Sequence, residues 1–149
     1  MPQPFRLFAP PAAPSERVLL VPSGELSLAL PIGLVREVLV AAAVTRQGAS
    51  STIGYQDVET AKTVPAVLGR RPCPLEFAGA FVLLRVETLV SGLLAIACTA
   101  RPQLASVTEE SWGPGQPLPP PWVGGEKSYR KDGIDYLVCR GIQPKLESR

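Results

Sequence analysis

The chain contains no histidine. Histidine is the commonest general base and metal ligand near neutral pH, so its absence removes every Ser-His and Cys-His nucleophile pair. Three thiols remain, at Cys73, Cys98 and Cys139. They are too few and too widely spaced for a zinc site. Cys98 ends the apolar run Leu93-Leu94-Ala95-Ile96-Ala97-Cys98, where a cysteine reads as a small buried hydrophobe. Glu109 and Glu110 are adjacent carboxylates, but neighbours in an extended chain point to opposite faces, so they read as a solvated turn and not as an acid/base dyad. No Gly-x-x-x-x-Gly-Lys or Gly-x-Gly-x-x-Gly run is present to cradle a phosphate. The residues capable of chemistry thus argue against an enzyme, and no cofactor or metal is expected.

Binding is the remaining class. The formal net charge is only +2 and charged residues make up 19% of the chain. The basic residues fall in short separated clusters, Arg70-Arg71, Arg130-Lys131 and Lys145, a field too weak to suggest nucleic acid. Apolar residues are 46% of 149, enough for a core without disulfides. The start, Met-Pro-Gln-Pro-Phe-Arg, has no apolar signal region, and an odd number of cysteines fits reduced thiols, so a cytoplasmic protein is expected. The apolar stretches 28–44 and 78–98 carry Arg36-Glu37 and Arg85/Glu87. Ionised groups inside a bilayer are costly, so both stretches read as buried strands.

The elements that present any binding surface are therefore short strands. Residues 1–15 hold Pro2, Pro4, Pro10, Pro11 and Pro14 and read as an extended tail that Phe5 and Phe8 could pin to a surface. Residues 16–149 read as the folded domain. Residues 17–21 and 25–30 form a hairpin about Ser23-Gly24, with Leu26, Leu28 and Leu30 on one face and Glu25 and Ser27 on a wet one. After Pro31 and Gly33 the β-branched stretch 34–44 continues as strand, with a helical turn over 34–37 as an alternative. Residues 45–51 read as a polar loop, 52–56 and 58–64 as strands, and 65–69 as a helical turn closed by Gly69. Residues 70–74 are a loop, and 80–87 and 92–98 a second hairpin.

The proline- and glycine-rich stretch 113–125 reads as a surface loop anchored by Trp122, with a polyproline ligand for an SH3 or WW domain as the sharper alternative. Asp132-Gly133 turns a third hairpin between residues 127–130 and 134–138. Nine or ten short strands without a long helix predict an all-β barrel or sandwich.

Four stretches in this order resemble the CheW-like family of chemotaxis signal-transduction adaptors. They are Leu28-Ala29-Leu30-Pro31-Ile32-Gly33-Leu34-Val35-Arg36-Glu37-Val38-Leu39; Ile53-Gly54-Tyr55-Gln56-Asp57 through Val67-Leu68-Gly69; Phe81-Val82-Leu83-Leu84-Arg85-Val86 with Gly92-Leu93-Leu94-Ala95-Ile96; and Trp122-Val123-Gly124-Gly125 with Tyr136-Leu137-Val138. The resemblance spans residues 17–142. It implies two small SH3-like five-stranded β-barrels sharing a core, and a scaffold coupling a chemoreceptor cytoplasmic domain to the regulatory domain of a histidine kinase.

Tyr55-Gln56-Asp57-Val58 stands where the family carries an Asn-Leu-Arg-Gly-like turn, which marks a divergent member. Carried over by position, Val35, Glu37 and Leu39 are the expected protein-binding residues. As alternate residues of a strand they are expected to share one face, with Glu37 at an exposed site. A β-barrel structural or assembly subunit without a signalling role is the alternative function.

Overall fold

The computed structural model describes residues 15–143. Among them are thirteen strands and no α-helix. The strands are β1 (Ser15–Ser23), β2 (Leu26–Pro31), β3 (Val35–Leu39), β4 (Val44–Gln47), β5 (Ser50–Asp57), β6 (Thr60–Leu68), β7 (Arg71–Pro72), β8 (Phe81–Arg85), β9 (Leu93–Ala97), β10 (Gln103–Thr108), β11 (Gly113–Pro114), β12 (Trp122–Lys131) and β13 (Ile134–Ile142). Ser15 already belongs to β1; the rest of the proline-rich tail, and Lys145, lie outside the described residues.

The strands form two curled sheets. One runs β10-β1-β2-β13-β12-β11 and the other β3-β8-β9-β6-β5-β4, with β7 paired to β6. The first has five strands of six to ten residues plus the two-residue β11, the five-stranded count expected; the second adds β4 and β7 to its five. The fold is all-β, with two small SH3-like barrels around a shared core. Strands β3 to β9 lie in the chain between β2 and β10, so the first sheet takes strands from both ends of the described chain.

Three layers of side chains explain the apolar runs. Strand side chains alternate between faces, and in β1, β2, β8 and β9 both faces are covered. Leu19, Val21, Leu28 and Leu30 meet Val82, Leu84, Leu94 and Ile96 between the sheets. Behind them, Val18, Leu20, Ala29, Val107 and Tyr136 fill the first barrel. Phe81, Leu83, Leu93 and Ala95 fill the second, with Ile53 and Val64. The wet face expected for the first hairpin is thus only its Glu25 and Ser27 end, because Ala29 is fully buried. Trp112 stacks edge-on against Tyr129 (6.4 Å between centroids), with the Lys127 ammonium 4.4 Å above the indole ring, at the rim of the first barrel.

Turn chemistry sets the hairpins. Asp132 and Gly133 both have positive φ, as the twist of a two-residue hairpin requires, and β12 and β13 pair outward from them. Four expectations differ. The stretch 34–44 is not one strand: β3 ends at Leu39 and β4 begins only at Val44. Residues 45–51 are not a loop: Val44 pairs with Ile53 and Gln47 with Ser50, the chain reversing at Gly48 (φ 62°). Residues 65–68 are not helical, because β6 runs through Leu68. Pro65 stands where pairing with β5 ends, opposite Thr52, and pairing with β9 begins at Ala66, a ladder end of the kind where proline is tolerated. The short helical turn is a 3-10 turn at Ile32–Leu34, before β3, instead of at 34–37.

The stretch 113–125 is a strap with both ends in strands, β11 and β12. Leu118 and Trp122 are buried in the shared core. The Leu118 amide donates to the Gly124 carbonyl at 3.1 Å and the Ser128 hydroxyl to the Pro114 carbonyl at 2.8 Å. A Cβ on Gly125 would collide with the Gln116 carbonyl, so the strap lies backbone to backbone on β12. A segment held this way is not presented as a polyproline ligand over its length.

Candidate functional site

The thiols do not form a reactive centre. All three are buried, and burial pushes Cys73, Cys98 and Cys139 up to about 11, so at neutral pH they are protonated and poor nucleophiles. Glu109 and Glu110 sit in an exposed 3-10 turn. No group of three or more potential metal-ligating side chains is found among the described residues, and no helix among them is long and apolar enough to cross a membrane.

The candidate site is instead an opening in the layer between the sheets. Residues paired across antiparallel strands share a face, so Leu19 with Leu104 (β1–β10) and Val38 with Val82 (β3–β8) both aim into that layer. In its middle the layer is sealed by Leu28, Leu30, Leu84 and Ile96. At one side it meets two sheet edges, β3 of one sheet and β10 of the other, and there it gapes. Val38, Val40 and Leu104 remain 42%, 86% and 55% exposed, lining an apolar groove of about 720 Å³.

The floor of the groove is the approach to β8 (Ala78, Gly79, Ala80) and the connector from β9 to β10. Two backbone bonds fasten that connector to both sheets. The Cys98 amide donates to the Ala80 carbonyl at 2.9 Å, and the Thr99 amide to the Pro22 carbonyl of β1 at 2.9 Å. At Gly79 the backbone passes close to the Phe77 ring, which a Cβ there would approach to 2.9 Å. Arg101 is the only charged residue in the lining. A preformed apolar groove with one cationic group on its wall has the makings of a protein-docking site.

The expected trio is only partly brought together here. A β-bulge falls between Val35 and Glu37: Val35 pairs with Leu84, whereas Glu37 pairs with Leu83 and Leu39 with Phe81. The extra residue resets the alternation. Val35 consequently packs on the layer between the sheets and Leu39 on the core of the second barrel. The single shared face expected for Val35, Glu37 and Leu39 is not formed. Nor is Glu37 an open surface charge, since it is half-buried and its carboxylate accepts the Tyr55 hydroxyl at 2.7 Å. Arg85 donates to the Val35 carbonyl at 3.0 Å and the Gly33 carbonyl at 3.3 Å, anchoring the bend that leads into β3.

The residues of this segment that line the groove are Val38 and Val40, and the facing wall, Leu104, belongs to a strand that sequence reasoning left unassigned. The available signal was the i, i+2 spacing of two β-branched residues, which does not tell a groove wall from a core position.

A smaller concavity of about 380 Å³ opens under the strap, where Glu25, Ser27, Gln116, Ser128 and Asp135 make it largely polar.

No family model matches the sequence, and no curated protein matches it. Among solved structures, the chain is similar to the scaffolding protein TtCheW from Thermoanaerobacter tengcongensis. The TM-score is 0.58 at 14% identity, over 85% of this chain and 90% of that one. At that identity the likeness establishes the fold, which is CheW-like.

Proposed function

We propose that this chain is a non-enzymatic adaptor that docks signalling proteins, the regulatory domain of a histidine kinase or the cytoplasmic domain of a chemoreceptor, in a chemotaxis-like system. The observation that carries this reading is the groove between the β3 and β10 edges, which holds three exposed large hydrophobics on a preformed wall. Exposed apolar side chains gathered in one concavity mark an interaction site far more specifically than the same residues scattered. The scaffolding role of the similar structure supports it.

In this reading the segment Val35–Leu39 supplies the groove with Val38 and extends into Val40, while Glu37 and Leu39 hold the segment onto the second barrel. Arg101 favours a partner whose apolar segment is flanked by a carboxylate. The test is calorimetric titration of the isolated kinase regulatory domain, and separately of the receptor domain, from the source cell. The Leu104→Glu and Val40→Glu variants should lose binding to at least one of them at unchanged melting temperature. Binding of both variants equal to that of the unaltered chain would refute docking at the groove.

A further inference from the structure

We infer that two copies of this chain join edge to edge through β10, each strand adding to the other's first sheet as an antiparallel neighbour. The inference goes beyond the adaptor reading and rests on the edge alone.

An edge strand presents unpaired amides and carbonyls to any approaching strand, and folded proteins blunt such edges with charge, proline, bulges or brevity. Among the described residues, the other strands paired on one side only are blunted in these ways. Strand β3 carries Arg36, Glu37 and a bulge, and β4 is four residues long with Arg46 inside it. Strands β7 and β11 are two residues each and contain Pro72 and Pro114. Strand β10, Gln103–Thr108, has six residues and no charge, proline or glycine. Its register with β1 is unbroken from Gln103 to Thr108, so every second amide points away from β1. No other described strand pairs with it, and Gln103, Leu104 and Ser106 are exposed.

Charge points to the occupant. Arg101 stands two residues before β10, and Glu109 and Glu110 follow it directly; all three are exposed. None has an ion pair among the described residues. A strand with a cation before it and carboxylates after it is complementary to its own reversed copy. Antiparallel pairing sets Arg101 beside acids at both ends, whereas parallel pairing sets like charge against like. Symmetry narrows the register. A two-fold axis normal to the sheet keeps the same face of both copies on one side, so the pairing centres on a single residue. With Ala105 opposite Ala105, Leu104 lies opposite Ser106 and Arg101 opposite Glu109. Both Leu104 side chains then stand next to the axis on the groove face, the face that Val38 and Val40 leave uncovered. So short a contact makes a reversible dimer.

Sedimentation of the full chain tests this. The parent should pass from monomer to dimer with a Kd below about 1 mM. As it does, every second amide of Gln103–Thr108 should gain protection from hydrogen exchange. Arg101→Glu alone and Glu109→Arg alone each set like charges opposite one another at both ends, and each should weaken the dimer by roughly tenfold or more. Mixing the two variants restores both attractions, so the mixture should form a one-to-one dimer as tight as the parent's. That rescue excludes a folding fault in either variant. A parent that stays monomeric up to about 1 mM, variants that dimerise as the parent does, or a mixture that does not recover, would overturn the inference. Protection of the β10 amides that is equal at all concentrations would also overturn it, by placing a segment of the same chain on the edge. No kinase or receptor domain is present in this measurement, so its failure leaves the adaptor reading intact. Loss of partner binding in titration would not touch the sedimentation result.

Discussion

The Tyr55 hydroxyl and the Glu37 carboxylate meet at 2.7 Å although their strands, β5 and β3, stand four places apart in the sheet. The sheet has curled far enough to bring its two sides together, and this bond spans the gap where no backbone ladder does.

Tyr55→Phe should therefore destabilise the fold by about 1.5–3 kcal/mol, the range for a hydrogen bond to a charged acceptor. Glu37→Arg should do at least as much, since it removes the acceptor and sets a cation in its place. Urea unfolding of each variant checks this, and a change below about 0.5 kcal/mol, normal for a surface site, would show that the contact does not bind the barrel.

A second lock joins the sheets. Ser23 is buried in the β1–β2 hairpin and its hydroxyl accepts the Gly69 amide at 2.8 Å, across the turn from β6 to β7. Ser23→Ala orphans a buried N–H and should cost about 1–3 kcal/mol. Gly69→Ala should also destabilise, because Gly69 has φ 61° and an added Cβ would press on the Ser23 carbonyl and the Glu25 carboxyl group. Thermal melts of both variants measure it, and melting at the parent temperature would contradict the lock.

At the groove, Val40→Glu and Leu104→Glu change exposed side chains, so folding stability should move by no more than about 0.5 kcal/mol. Partner affinity should fall at least tenfold, about 1.4 kcal/mol. Calorimetric titration beside a thermal melt separates the two quantities, and the expectation fails if stability falls in step with affinity.

The pH dependence has a definite sign. The Cys139 thiol is raised by burial from 9.0 to about 11, so the folded protein holds this proton more tightly than the unfolded chain does. Its stabilising contribution is whole below pH 9 and is lost as pH rises towards 11. Over that window Cys139 should steepen the fall in stability by up to about 1.4 kcal/mol per pH unit. Comparing the slopes for Cys139→Ala and the parent by denaturant unfolding at pH 8 to 11 checks this; equal slopes would mean that the thiol titrates alike in both states.

Where local chemistry decides structure, the residues were legible in advance. Asp132-Gly133 and Ser23-Gly24 announced their hairpins, and the runs Phe81-Val82-Leu83-Leu84 and Leu93-Leu94-Ala95-Ile96 announced a buried pair. Strand β10 was illegible because an edge strand of the composition Gln-Leu-Ala-Ser-Val-Thr buries only Val107 fully. The β6 extension was hidden by Pro65, whose placement depends on a change of partner strand. The groove was hidden for a related reason. Val38 and Val40 look like core in isolation, and only the meeting of two sheet edges leaves them uncovered. The bulge at Arg36 has no signature in residue type, yet it decides that Val35 and Glu37 face apart.

The insertion of β3 to β9 between β2 and β10 sets an order of events during synthesis. β1 must wait for Gln103–Thr108 and β2 for Leu137 and Val138 before either is paired on its second side. At about 5–20 residues per second that interval is on the order of 5–20 s on the ribosome. The intervening barrel is built largely from neighbouring hairpins, and short sequence separation closes such contacts first. The nascent β1–β2 hairpin then has the Val82, Leu84, Leu94 and Ile96 face of that barrel to lie against. The inserted barrel thus acts as an internal template, shielding the first hairpin until its own sheet can be completed.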